Sequence, residues 1–295
     1  MTQATVSSKT PPRLRVAIDE AHHMLAAAGV PSPRHDAEAL AAFVIGCPHG
    51  RLLMAGDFSA GQHVVFTELI ARRANRIPLQ HLTGSAPFRF LEVAVGPGVF
   101  VPRPETEVVA GWCIDNLRAT LDDVQAPLVV DLCTGSGAIA LSIAHEVKGA
   151  IVHAVERERP AFEWASRNAT ATGVTVHHDD AAHALAELDG SVDLVVANPP
   201  YLPDGQRDLV EPEVRDHDPE PALWGGPDGL DGPRMIEAAA RRLLRPGGMV
   251  AVEHADHHGP SVAEIFGASK EWEQVVVRQD LAGRDRFVTA RRAGR

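Results

Sequence analysis

Residues 192–201, VDLVVANPPY, constrain the fold more tightly than any other stretch of this chain. Val192, Leu194, Val195 and Val196 form the apolar, β-branched run required of a strand covered on both faces. Two prolines then end it. Neither can donate to a sheet ladder, and Pro200 also restricts the backbone of Pro199. Asn198 and Tyr201 are thus held rigidly at the carboxyl edge of a sheet, where open α/β sheets place their ligands. Such a constellation suits recognition of a planar nitrogen. An amide or aromatic amine is a poor nucleophile, because its lone pair is delocalised. The side-chain carbonyl of Asn198 and the backbone carbonyl of Pro199 can both accept from one NH2 group, which holds the nitrogen and aims its lone pair. Tyr201 adds an aromatic face for stacking. The plain structural alternative is a strand-ending turn with a buried tyrosine.

This strand is the fourth of a series. Residues 127–133 (PLVVDLC) read as a first buried strand, followed by the turn Thr134-Gly135-Ser136-Gly137 and a helix over 138–146. A second strand, 150–156, carries Glu156 at its tip; a helix over 160–171 leads to a third strand, 175–178, ending at Asp179-Asp180. After the fourth strand, 202–232 is rich in Gly, Pro and Asp and too long for a simple connector. A helix over 233–245, a strand over 249–255, a short helix over 261–266 and two final strands, 273–280 and 286–292, complete a doubly wound α/β domain with a mostly parallel sheet.

The N-terminal part differs in character. Helical spacing over 13–30, 33–45 and 62–76, with a short piece at 51–55, predicts a small all-helical unit. Arg72, Arg73 and Arg76 form a basic group at a helix end, facing the helix dipole and solvent, with docking of an acidic partner as the alternative. Over 78–103, alternation of Phe88, Phe90, Val93 and Val95 predicts a β-hairpin linker, after which Pro104, Glu105 and Glu107 suit the first turn of a helix. The expected organisation is a disordered tail at 1–12, helices over 13–80, a hairpin linker over 81–103 and the α/β domain over 104–295.

Charge narrows the function classes. The net charge is −11, which argues against a main partner made of nucleic-acid backbone. The charge is uneven: residues 1–103 carry 10 Lys and Arg against 7 Asp and Glu, and 104–295 carry 18 against 32. Cys47, Cys113 and Cys133 are too few and too widely spaced for a disulfide framework or zinc signature, so a reducing cytoplasm is expected. No apolar run approaches the ~20 residues of a membrane span. Glu253, His254, Asp256, His257 and His258 resemble a metal site in composition but not in spacing; they read as a strand end running into a soluble loop, with no metal expected. Asp122-Asp123 and the acids of 204–220 read as solvated loop, the latter also able to border a substrate groove.

The glycine turn is ambiguous by itself. Its glycines let backbone approach a ligand at a helix N-terminus, and Glu156, about 20 residues on, suits the hydroxyls of a ribose. Residues 135–140 also satisfy the dinucleotide pattern GxGxxA, so the loop alone fits a nicotinamide or flavin cofactor as well as S-adenosylmethionine. The NPPY stretch breaks the tie. A nitrogen cradle serves methyl transfer and has no use in hydride transfer.

In this order and spacing, PLQHLTG, GPGVFVPRPETE, DLCTGSGAIAL, ANPPY and ALWGGPDGLDG resemble the bacterial release-factor glutamine N5-methyltransferases, from about residue 13 to 292. The PLQHLTG and PRPETE blocks carry the specificity, because NPPY and the glycine loop also occur in nucleic-acid amine methyltransferases. The resemblance implies a Rossmann-like class I methyltransferase domain, a helical N-terminal domain for substrate recognition, and S-adenosylmethionine as cofactor. It implies methylation of the glutamine in the Gly-Gly-Gln loop of release factors, in support of translation termination. Together with charge and cysteine usage, the expectation is a cytoplasmic monomer with no direct nucleic-acid or membrane contact. Carried over by position, the cofactor site is Cys133, Thr134, Gly135, Ser136, Gly137, Glu156, Asp180 and Asn198. The substrate amide falls to Asn198, Pro199, Pro200 and Tyr201, with Phe100 walling the pocket; Asn198, Pro199 and Tyr201 are the catalytic set. Three departures stand out: Cys133 where many relatives have glycine, Glu156 for the commoner Asp, and Ala181 where some have an aromatic. A nucleic-acid amine methyltransferase and a noncatalytic cofactor-binding protein are the rival classes.

Overall fold

The computed structural model describes residues 12–120 and 126–294. Nearly all of the tail expected at 1–12, together with Asp122 and Asp123, lies outside the described residues. The chain divides into two compact units, Met1–Gly84 and Ser85–Arg295.

The first unit is helical: α1 (Leu14–Ala27), α2 (Pro33–Ile45), a 3-10 turn (His49–Met54), α3 (Ala60–Ala74) and α4 (Leu79–Thr83). Leu25, Leu40, Phe66 and Ile70 centre its core. Ser59 caps α3 reciprocally with Gln62, which satisfies two otherwise orphaned N–H groups. The basic group at the end of α3 is not a patch. Arg73 is buried on the same helix face as Leu69 and Ile70, and its Nε donates to Asp36 at 2.7 Å. A buried guanidinium requires such a partner.

The second unit opens with an antiparallel hairpin, β1 (Ser85–Phe88) and β2 (Leu91–Ala94). The extended segment is shorter than 78–103, since 79–83 are helical. Phe90 sits at the hairpin turn and is 75% exposed, so it breaks the alternation read from the sequence. Then follow α5 (Thr106–Thr120), β3 (Leu128–Leu132), α6 (Ala138–Glu146), β4 (Ile151–Glu156), α7 (Arg159–Ala169), β5 (Thr175–His178) and β6 (Val192–Ala197). The 202–232 segment holds α8 (Pro212–His217) between two 3-10 turns. The chain ends with α9 (Asp231–Leu243), β7 (Leu244–Glu253), α10 (Gly259–Gly267), β8 (Trp272–Gln279) and β9 (Asp285–Arg292).

Seven strands form one sheet in the order β5-β4-β3-β6-β7-β9-β8. The first five are parallel, and β9 runs antiparallel to both β7 and β8. Side chains alternate between two cores: Val129, Leu194 and Val196 face α5 and α6, whereas Val130, Val195 and Ala197 face α9 and α10. Double coverage explains the near-continuous apolar run of β6. From β3 the chain steps outward to β4 and β5, and β6 then returns to the other side of β3. Strand order reverses at β3/β6, and ligand crevices open outside the carboxyl ends of strands at such a point.

Candidate active site

A cavity of about 390 Å3 lies at that switch point. Its walls come from three neighbouring strand ends. Leu132 pairs with both Val155 and Ala197, so the residues that follow them, Cys133, Glu156 and Asn198, come level with one another.

After β3 the backbone turns sharply. Cys133 takes φ +58°, Gly135 +58° and Gly137 +88°. A Cβ on Gly135 would meet nothing within 4 Å, so the backbone there is open for a ligand to approach. Asp131, 1% exposed, ties the turn from below: it accepts from Thr134 Oγ1 at 2.6 Å and from the Ala140 N–H at 3.1 Å. Burial pushes its carboxyl up to about 7, against the pull of these two hydrogen bonds. Asn168 on α7 holds the turn from the side. Its Nδ2 donates to Ser136 O and Ala94 O, both at 2.9 Å, and its Oδ1 accepts from the Ala94 N–H at 3.0 Å.

Glu156 lines the cavity and accepts from the Gly135 N–H at 2.9 Å and the Glu158 N–H at 2.8 Å. Burial raises its pKa and these N–H groups lower it. Two bonds leave lone pairs for a ligand's hydroxyls, since a carboxylate has about four acceptor sites. Asp180 and Ala181 border the cavity beyond it.

At the other end, Asn198 Nδ2 donates to Thr106 Oγ1 and Tyr201 OH donates to Glu253 Oε1, each at 3.4 Å. Glu253 is 1% exposed, and burial pushes its carboxyl up to about 7 despite Thr106, Arg286 and Tyr201. Burial likewise raises the Tyr201 hydroxyl, which stays protonated. Phe100 lies under the Arg103 guanidinium at 4.9 Å, and Arg103 donates to buried Asp218 at 2.7 Å. Burial moves Asp218 up to about 6 although Arg103 opposes it.

Phe100, Cys133, Thr134, Gly135, Ser136, Glu156, Asp180, Asn198, Pro200 and Tyr201 all line this one cavity. Gly137 instead packs beneath the turn, near Leu141 and Ala165, and Pro199 is buried against Gly232. Reading the residues one by one missed Asp131, Asn168, Thr106, Arg103, Asp218 and Glu253. Asp218, which the sequence places in a solvated loop, is buried, and so are Glu253, His254 and His258 at the strand end. For Glu253 the apolar run before it carried the signal, because it ends a covered strand. Among the described residues, no group of three or more His, Cys, Asp or Glu side chains is arranged to hold a metal ion. Nor is any described helix long and apolar enough to cross a membrane.

The open backbone at Gly135, the carboxylates of Glu156 and Asp180 and the cavity's size fit S-adenosylmethionine, a cation that bears a ribose.

Known proteins match along most of the chain. The family described as "PrmC N-terminal domain" matches residues 17–84, and the "Methyltransferase small domain" matches 105–212. The "Release factor glutamine methyltransferase" of Streptomyces coelicolor is 53% identical over 278 residues, covering 94% of this chain and 97% of its own. A "4-amino-L-phenylalanine/4-methylamino-L-phenylalanine methyltransferase" of Streptomyces pristinaespiralis is 41% identical, covering 88% and 89% respectively. The solved catalytic domain of hMettl16, in complex with a 3′UTR hairpin, shares the fold with a TM-score of 0.53 at 12% identity, over 81% of this chain and 84% of that one.

Proposed function

This chain belongs to the release factor glutamine methyltransferase family, and from that premise we propose that it methylates the side-chain nitrogen (N5) of the glutamine in the Gly-Gly-Gln motif of release factors. The carrying observation is the meeting of the glycine turn, Glu156 and the Asn198–Tyr201 strand end around one cavity. When bound, S-adenosylmethionine would supply an electrophilic methyl on cationic sulfur: the C–N bond forms as the C–S bond breaks, the sulfur departs as a neutral thioether, and the alkylated nitrogen gives its proton to water.

The chain's own residues position and neutralise. Cys133, Thr134, Gly135 and Ser136 would cradle the donor, with Gly137 packing beneath the turn they form; Glu156 would take its ribose hydroxyls and Asp180 would border its adenine. Asn198 accepts from the glutamine NH2, the Pro199 carbonyl is kept as the second acceptor although the Pro199 ring packs against Gly232, and Tyr201 and Phe100 wall the planar amide. A neutral amide needs no base beforehand, because its nitrogen becomes acidic only as the methyl attaches. Catalysis is therefore mostly geometry and electrostatics. Residues 13–80 take recognition of the protein substrate, in keeping with the family match over that part. The same reading has the chain act in the cytoplasm as a monomer.

The test is methyl transfer from labelled S-adenosylmethionine to four acceptors: a release factor, its Gly-Gly-Ala variant, duplex DNA and 4-amino-L-phenylalanine. Label on the wild-type factor alone is expected. Asn198→Ala is expected to lower that rate about a hundredfold with little change in cofactor affinity. Label on the variant factor or on DNA contradicts the substrate. Preferential label on the free amine would favour the chemistry named for the S. pristinaespiralis relative.

A further inference from the structure

Asn198 can accept from a substrate NH2 only if its amide oxygen faces the cavity. An asparagine amide is nearly symmetric in shape, so packing alone does not choose between its two orientations. A neighbouring hydrogen-bonding group must choose. Thr106, 5% exposed in the first turn of α5, contacts Asn198 at 3.4 Å through Oγ1. A threonine hydroxyl can donate or accept, so it does not choose by itself either. Behind it, however, lies Glu253. Its Oε1 accepts from Tyr201 at 3.4 Å and its buried Oε2 has no hydrogen-bond partner among the described residues, while the Thr106 hydroxyl and the Arg286 charge both act on the carboxyl. Above about pH 7 that carboxyl is ionised, and an ionised carboxylate only accepts. The single Thr106 proton then goes to Glu253, which leaves Oγ1 to accept from the Asn198 NH2.

We propose that Thr106, oriented by Glu253, is the positioning residue that turns the Asn198 amide so that Oδ1 faces the substrate nitrogen. This rests on the function proposed above and adds residues to the same site. The fold builds the relay with little freedom. Ala197 pairs with Val252 across β6 and β7, so Asn198 and Glu253 follow at the same level of the sheet. Arg286 is on β9, the next strand, where Glu253 pairs with Phe287. Tyr201, three residues past Asn198, gives its proton to the same carboxylate. One buried acid thus orients both polar members of the nitrogen cradle. It also explains why a covered strand ends in a carboxylate at all, since burying it otherwise only costs stability.

The experiment compares Thr106→Val, Thr106→Ser and Glu253→Gln with the wild type in the full chain. Thr106→Val keeps the shape and removes the hydroxyl; Thr106→Ser keeps the hydroxyl. Glutamine at 253 can donate to Thr106 and so removes the enforced direction. The readouts are kcat with a release factor, KM for that factor, and equilibrium S-adenosylmethionine binding. Thr106→Val and Glu253→Gln are expected to lose about tenfold or more in kcat, with cofactor affinity changed less than about twofold. Thr106→Ser is expected to restore kcat to within about threefold of wild type. Thr106→Val matching Thr106→Ser in kcat would overturn the proposal, as would losses confined to cofactor binding. If the wild type itself does not label the factor, the proposed function fails instead, and the two failures are distinct.

Discussion

Cys133 occupies a backbone conformation that side chains avoid, at φ +58°. A Cβ there costs about 1–2 kcal/mol. Glycine avoids that cost but gives back about 0.5–1 kcal/mol in unfolded-chain entropy. Cys133→Gly is thus expected to raise unfolding stability by about 0.5 kcal/mol, and Cys133→Val, β-branched, to lower it by about 1–2 kcal/mol. Denaturant midpoints check the order Gly, Cys, Val; a valine variant as stable as the wild type would contradict it. The departure from glycine was visible in the sequence, but its reason was not, because one letter does not state a dihedral angle. Arg73 shows the opposite case. Its place three and four residues after Ile70 and Leu69 puts it on the apolar face, so its burial was legible from helical spacing. Its charge, shared with Arg72 and Arg76, points the other way, toward solvent.

Elements shape the site through close backbone contact as much as through side chains. The first turn of α9 lies directly on the NPPY strand end: a Cβ on Gly232 would come within 2.3 Å of Pro200 O and 3.0 Å of the Pro199 ring. Gly232→Ala must push α9 or the strand end aside. It is expected to cost about 1–3 kcal/mol of stability and to lower methyl transfer more than cofactor binding. Unchanged kcat and unfolding midpoint would show that this contact does not hold the cradle in place. The glycines of ALWGGPDGLDG were plain in the sequence, yet what they press against is set by the return of 225–232 onto the β6 end, a long-range contact no local pattern encodes. The strands were more legible. Runs such as LVV and LVVA, with glycine or proline after them, mark both β3 and β6 and their ends. The start of β7 was not, because Arg245, Pro246 and Gly247 interrupt the apolar pattern while Leu244 still pairs with Val192.

The molecule as a whole carries buried acids near its sheet edge, and these link stability to pH. Glu253 and Asp131 titrate near 7 in the folded chain, above their ordinary 4.5 and 3.8. Below those ordinary values both folded and unfolded chains hold the protons. Between them and about 7 the folded chain keeps protons that the unfolded chain has lost. Stability is therefore expected to be greater at about pH 5 than at about pH 8. Glu253→Gln removes one such group, and its stability should fall less over that range, by on the order of 3 kcal/mol. Equal slopes for the variant and the wild type in denaturant titrations at several pH values would contradict this. Past stability, the account turns on which atom receives the methyl group. Tandem mass spectrometry of a release factor, after incubation with this chain and S-adenosylmethionine, reads that directly. A single added methyl is expected on the side-chain nitrogen of the glutamine in the Gly-Gly-Gln motif. A methyl on any other residue, or an unmodified factor beside consumed S-adenosylmethionine, would contradict it.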